Sequence, residues 1–376
     1  MQNKEKTIHI ITLNIPDPPD YGGMIDSYYR IKELYSLGIK IHLHCFVYNR
    51  NPSKSLDCYC ESVHYYSRNN TDWKTFFSFK PFIVNSRNSE NLLQAILKDN
   101  SPVLFDGIHT TFQFNNPGLN NRIKAVRVHN IEHRYYLTLF KYENNIFKKI
   151  FFLAEAIKLK YYEKILLKAN FNFTVSPVEQ SYFQSMYNNA VYVPSFHPFN
   201  KVVSFPGKGT FVLFHADLSV IENVKSCIWL ITHVFSKTKY PCIIAGKNPP
   251  RHLQKLVKKY SNIIVSCNPT NEQMSTYIRD AHIHVLIALK NNGLKLKLLI
   301  SLFSGRFCLV NPAIVEDTIL DKICQVAKTD TDFLNMIDIL MNEEFTKDMI
   351  EVRETLLNTQ YNNRSNALKF IDAMGI

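Results

Sequence analysis

The chain has 376 residues, 46% of them hydrophobic and 20% charged, which suits a folded protein long enough for two domains with separate cores. Its formal net charge of +12 favours an anionic partner, but arginines and aromatics are not clustered as in a nucleic-acid groove, so no nucleic acid is expected. Among eight cysteines only Cys58 and Cys60 are close, no CxxC knuckles occur, and no apolar run reaches the ~18 residues of a membrane span. The expectation is a cytoplasmic protein with reduced thiols, no leader peptide and no structural zinc.

Thr7–Ile15 is a β-branched run that ends at prolines 16, 18 and 19 and reads as a buried strand leaving into a loop. The loop carries Pro18, Pro19, Asp20, Tyr21, Gly22 and Gly23. Met24–Leu37 has helical spacing, Gly38 stops it, and Ile39–Tyr48 is the next strand. Such a strand–loop–helix–strand unit belongs to a parallel α/β sheet. Val63–Tyr66 reads as a short strand, Ser89–Lys98 as a helix, and Pro102–Ile108 as a strand presenting Asp106 and His109 at its end. Ile123–His129 is a further strand, running into Asn130, Ile131, Glu132, His133 and Arg134. A long helical region spans Tyr135–Lys168, and seven lysines face three glutamates between positions 141 and 168. Phe171–Ser176, Pro177–Met186 and Ala190–Val193 read as strand, helix and strand.

Pro194, Pro198, Pro206, Gly207 and Gly209 mark a linker, after which the alternation resumes. Thr210–His215 is a strand, Ile221–Phe235 a helix, Pro241–Ala245 a strand, His252–Tyr260 a helix and Ile263–Val265 a strand. Asn271–Asp280, Ile283–Ala288, Leu294–Phe303 and Phe307–Val310 continue it, and Asp330–Met341 and Met349–Met374 supply terminal helices. A polar loop with Asn292, Gly293, Leu294, Lys295 and Lys297 lies between a strand and a helix, where an anion would be held. The fold class is therefore α/β, with residues 1–200 and 201–355 as two Rossmann-like domains and 356–376 as a C-terminal helix.

The order of these elements, with the Pro18–Gly23 loop, the Asn292–Lys297 loop and the segment Val128–His133, resembles the retaining GT-B glycosyltransferases of bacterial capsule and exopolysaccharide synthesis. The resemblance implies two Rossmann-like domains facing each other across a cleft, a terminal helix (356–376) crossing back to the first domain, a nucleotide-sugar donor (UDP- or GDP-linked), and a glycan or lipid-linked acceptor. It places Gly22 and Gly23 at the donor phosphates, with His215, Asp217, Asn292, Gly293, Leu294, Lys295 and Lys297 as further donor contacts. The positions matching the family's two donor-site glutamates are Asn292 and Ile300, and the usual basic pair is replaced by His215–Ser219. A catalytically silent GT-B protein that acts as a binding partner in glycan assembly is the alternative.

Each site residue also has an ordinary structural reading. Lys297 and Lys295 would neutralise a leaving diphosphate, or be surface lysines. His109 and His129 would contact sugar or acceptor near the reacting centre, or be satisfied histidines at strand ends. Glu132 would position an acceptor hydroxyl, or favour a helix N-terminus. Ser219 and Glu222 read as a capping box. No DxD-like acidic triplet stands in a donor loop, so no metal or other cofactor is expected. GxSxG is absent, so serine hydrolysis is not expected. The lysine-rich stretch 141–168 suggests peripheral contact with an anionic membrane, on the inner face of the cytoplasmic membrane, or else a solvated helix packed on the first domain.

Overall fold

The computed structural model describes residues 6–69, 78–289 and 296–376. It divides into two compact units, one formed by residues up to Pro198 together with Asn363–Ile376, the other by Phe199 to Asn362.

The first unit is built on a seven-stranded sheet. Its strands are β1 (Thr7–Thr12), β2 (Lys40–Val47), β3 (Ser62–Ser67), β4 (Val103–Asp106), β5 (Lys124–Val128), β6 (Phe171–Thr174) and β7 (Ala190–Tyr192). They run parallel in the order β3-β2-β1-β4-β5-β6-β7. Ile8, Ile10 and Ile11 of β1 are fully buried because helices cover both faces of a parallel sheet. One face packs on the helices Gly22–Ser36 and Asn363–Met374. Phe370 of the latter lies 4.3 Å from the ring of Phe173, with Ala367, Ile371 and Met374 in the same core.

The second unit carries β8 (Val212–His215), β9 (Cys242–Gly246), β10 (Ile263–Cys267), β11 (Ile283–Leu286), β12 (Phe307–Val310) and β13 (Gln325–Val326). Its order is β10-β9-β8-β11-β12-β13, again parallel. Each sheet thus reverses its winding direction once, between β1 and β4 and between β8 and β11. Ligands of open α/β sheets bind beyond the carboxyl ends of the strands at such a reversal. Close packing in this unit relies on Gly305, where a Cβ would stand 2.1 Å from His284 Nε2.

Two long helical stretches are broken where continuity was expected. The region 135–168 is a helix Glu132–Tyr142, a second helix Ile146–Tyr162 and a 3₁₀ turn Glu163–Lys168. Asn145 makes the break, since its side chain accepts from the N–H groups of Phe147 and Lys148 and so starts a new helix. The stretch 349–374 divides at Tyr361 and Asn362 into Lys347–Gln360 and Asn363–Met374.

The β1–β2–β3 edge carries stacked imidazoles, with His9 5.0 Å from His42 and 5.2 Å from His44, and His44 5.2 Å from His64. His9 and His44 lie in a chain of hydrogen bonds from Asp99 through His9 Nε2, His9 Nδ1, His44 Nε2 and His44 Nδ1 to the Tyr66 hydroxyl. Neutral rings satisfy that chain completely: His9 donates to Asp99, His44 donates to His9, and Tyr66 donates to His44. Protonating either ring puts a positive charge into this buried chain and obliges the Tyr66 hydroxyl to accept instead of donate. Burial, then Arg122 and His42, lower His9 to about 4 against the pull of Asp99. Burial and the neighbouring histidines lower His44 to about 2. The unfolded chain therefore binds more protons below the ordinary value of 6.5, and stability must fall as pH drops through 6.5 towards 4. Urea denaturation should give an unfolding free energy that declines below pH 6.5 by up to about 1.4 kcal/mol per pH unit for each histidine, offset in part above pH 4.5 by Glu132, which takes up a proton on folding. His44→Phe should make the decline shallower. An unchanged slope would mean that the row does not set the acid limit.

Candidate functional site

At the first reversal, the carboxyl ends of β1, β4 and β5 gather a buried ionic network. Asp26 and Arg30 stand one turn apart on the helix Gly22–Ser36, which brings both to the sheet. Asp26 Oδ2 accepts from Arg30 at 2.6 Å and from Arg127 Nε at 3.0 Å, and its Oδ1 accepts from Arg127 at 2.7 Å and from the Phe196 N–H at 2.9 Å. Asp106 Oδ2 accepts from Arg30 at 2.8 Å and from the Ser27 hydroxyl. Asp106 Oδ1 meets His129 Nε2 at 2.8 Å. Burial would raise both carboxyls, but for Asp26 the charges of Arg127 and Arg30, and for Asp106 the charge of Arg30 with the hydrogen bonds from His129 and Ser27, outweigh it and hold them below the usual range. Two carboxylates against two guanidiniums leave the cluster neutral before His129 is counted.

The expectation that the chain offers no metal site is corrected here. Asp26, Asp106 and His129 each present a ligand-type atom, all buried and all within 4.8 Å of one another. The sequence hid this group because its members come from a helix, one strand end and the next. In the structure the same carboxylate oxygens are engaged by Arg30 and Arg127.

His129 does stand in this site. With Nε2 directed to Asp106, its buried Nδ1 has no partner. His109 lies close by in the turn after β4, where Gly107 adopts φ +84°, and its buried Nδ1 is likewise without a partner. Burial, then the charge of Arg87, lowers His109 well below 6.5 and keeps it neutral. Glu132 opens the helix Glu132–Tyr142, and burial, helped by the charge of Glu163, pushes its carboxyl up to about 8. It is therefore mostly protonated at neutral pH and able to donate. Arg87 is buried, and its guanidinium donates to the Leu13 and Ile83 carbonyls. Among the described residues it forms no ion pair. Gly22 and Gly23 form the first turn of the helix Gly22–Ser36, whose N-terminus has no side-chain cap. Neither has a positive φ, so the pair is not there to make a left-handed turn.

At the second reversal, His215 ends β8 and its Nε2 lies 2.9 Å from the Ser301 hydroxyl. Burial, then the charge of Lys297, lowers His215 to about 3. Lys297, in the first turn of the helix Leu296–Ser304, donates to the Ile287 carbonyl at 3.2 Å, approaches Asn223 Oδ1 at 3.5 Å and sits 5.9 Å over the Phe214 ring. These contacts bring the ends of β8 and β11 and the start of the helix Ile221–His233 to one ammonium. Glu222, in that helix's first turn, keeps a buried Oε1 without a partner. Asn292, Gly293, Leu294 and Lys295 lie outside the described residues. The capping-box reading of Ser219 and Glu222 is corrected. Val220 is the N-cap residue, and Ser219 instead donates from both N–H and hydroxyl to Asp217 Oδ1. Asp217 thereby shapes the loop after β8, and Asn223 donates to its carbonyl at 2.9 Å.

Sequence reading passed over Asp26, Arg30, Arg127, Arg87 and Ser301. A signal was present for three of them: Asp26 and Arg30 form an i,i+4 pair on an otherwise apolar helix face, and Arg127 is a charge inside the buried run Lys124–Val128.

No family model matches the chain. It is 28% identical over 310 residues to an uncharacterized 44.6 kDa protein of the cps region of Klebsiella pneumoniae, covering 77% of this chain and 79% of that one. Among solved structures it is similar to a glycosyltransferase from Rickettsia africae, with a TM-score of 0.64, 11% identity and coverage of 99% and 98%. It is similar also to S. aureus TarM, crystallised with UDP and alpha-GlcNAc-glycerol, with a TM-score of 0.65, 12% identity and coverage of 99% and 100%. These likenesses span nearly the whole chain and match two Rossmann-like α/β domains in succession, so the fold of this protein is GT-B.

Proposed function

We propose that this protein is a glycosyltransferase that moves a sugar from a nucleotide-sugar donor to a growing bacterial surface glycan or a lipid-linked acceptor, with retention of configuration. The observation that carries this reading is the second reversal point, where Lys297 is held by groups at three strand and helix ends beside a neutral His215, and the helix that supplies Asn223 also carries the unpartnered Glu222 oxygen. When the bond between the anomeric carbon and the diphosphate breaks, the electron pair leaves with the phosphate oxygen. A fixed ammonium there stabilises the charge as it develops. Glu222 Oε1 is an acceptor for a sugar or ribose hydroxyl. Retention and the acceptor class are carried from the family resemblance, and the cps-region relative accords with a surface-glycan acceptor.

The first domain supplies groups suited to an acceptor. His129, oriented by Asp106, presents a lone pair at Nδ1 when its proton is on Nε2, the arrangement needed to take a hydrogen bond from an attacking hydroxyl. Arg87, buried without an ion-pair partner among the described residues, would favour a negatively charged acceptor.

One observation favours the silent-partner reading. Ile300 packs beside the cluster of Leu213, Ala245, Ile278 and Ala281, so that position offers no polar contact to a donor. The purified protein should therefore be titrated with UDP-, GDP- and dTDP-sugars, with calorimetry for binding and nucleoside diphosphate release for turnover in the presence of acceptor extract. Binding and release with one nucleotide are expected. Binding without release would favour the silent partner, and no binding to any donor would overturn the transferase reading.

A further inference from the structure

We infer that the helix Ile146–Tyr162 is a docking surface for an anionic lipid bilayer, through an apolar stripe flanked by lysines. The helix is apolar on two opposite sides. Its inner side buries Glu155, Ala156 and Leu159 against the first domain. Its outer side exposes Ile146 (61%), Ile150 (61%), Leu153 (38%), Ile157 (52%) and Tyr161 (70%), with Phe147 (80%) beside them. These positions recur every three or four residues, so at 3.6 residues per turn they form one continuous stripe along the helix. A helix bearing such a stripe in water leaves large apolar side chains unburied, which marks a surface made to meet something else.

The charge pattern says what that is. The glutamates in the helix and the turn after it are turned inwards. Glu155 is 1% exposed and accepts from the Phe82 N–H and Lys158. Glu163 is 3% exposed and is held by His133, Tyr182 and Tyr187. Lysines supply the outward charge along the same stretch. The 3.6-residue period sets Lys149 and Lys160 along one flank of the stripe, and Lys164 and Lys168 are exposed in the following turn. An apolar strip bordered by ammonium groups fits acyl chains beneath anionic headgroups. A second copy of the chain would set those lysines against one another.

This surface rests on no property of the transferase reading, although a lipid-linked acceptor would give it a use. The full-length protein should be mixed, without donor, with phosphatidylcholine vesicles or phosphatidylcholine vesicles containing phosphatidylglycerol, and floated on a density gradient. Flotation only with phosphatidylglycerol, reduced by salt, is expected. Phe147→Glu with Ile150→Glu should lower partitioning by about tenfold or more, and Lys149→Glu with Lys160→Glu should lower it on the anionic vesicles. Phe147, Ile150 and Lys160 are exposed, and Lys149 is half-buried with its ammonium 5.4 Å over the Phe140 ring, so only variants that melt at the wild-type temperature are scored. Flotation that is absent, or unaffected by either pair, overturns the inference, as does a concentration-dependent dimer abolished by Phe147→Glu with Ile150→Glu. None of these outcomes depends on whether sugar transfer occurs.

Discussion

Asp106→Asn should destabilise the first domain by about 3–5 kcal/mol, the cost of leaving a buried charge without its partner. Asp106 is completely buried and joins Ser27, Arg30 and His129. Asparagine fills the same volume but carries no charge and replaces one acceptor by a donor. Two buried guanidiniums, Arg30 and Arg127, would then share the single carboxylate of Asp26. Nothing nearby can neutralise them by proton loss, since arginine stays charged. In a two-domain chain of this length the first melting transition should drop by on the order of 10 °C. Adding Arg30→Met to Asp106→Asn should recover part of the loss, because the unpaired charge goes with it, and the coupling between the two sites should be non-additive. Differential scanning calorimetry of the two single variants and the double variant measures this. A first transition within about 1 °C of wild type for Asp106→Asn would show that the network does not hold the domain.

Lys297→Met should leave the fold intact and reduce sugar transfer by about 10²–10³-fold. Methionine keeps the stem that lies over Phe214 while removing the ammonium held by Ile287 and Asn223. The loss should fall more heavily on kcat than on the donor's KM, because the charge on the leaving diphosphate is greater in the transition state than in the bound donor. His215 should also titrate closer to its ordinary value, since Lys297 is the charge that adds to burial in lowering it. Nuclear magnetic resonance of the imidazole reads that shift without any turnover. Turnover within about twofold of wild type would remove Lys297 from the donor site and leave it a structural lysine.

The parallel α/β architecture was legible because each strand is a short β-branched run and each helix has its own stop. Asn271–Asp280 has the bounds expected from sequence, and its start is fixed in the structure by Thr270 and Gln273, which form a complete capping box. The break at Asn145 was missed because apolar spacing continues across it, and the interruption lies in one side chain's bonds to the backbone. Ser219 carried the same ambiguity in reverse: a hydroxyl three residues before a glutamate matches a cap, yet Asp217 is nearer and captures it. His129 was found as a polar residue at a strand end. Its partnership with Asp106 was not, because it depends on β4 and β5 being neighbours in register. The Asp26–Arg30–Arg127 core was least legible, since charges inside apolar elements are ordinarily read as exposed, and only the folded sheet brings them to one place.

The helix Asn363–Met374 sets an order on biosynthesis. It seals the first domain's sheet with Phe370 against Phe173, yet it is separated from that sheet by the whole of the second domain's sequence. While the ribosome is making residues 199–362, the nascent first domain must wait with the face around Phe173 and Val193 uncovered. The second domain has no such debt and can complete its core as it emerges. The part of the chain translated first is therefore the part finished last. During that interval its apolar face is open, and a truncation that removes the helix Asn363–Met374 should leave it exposed permanently.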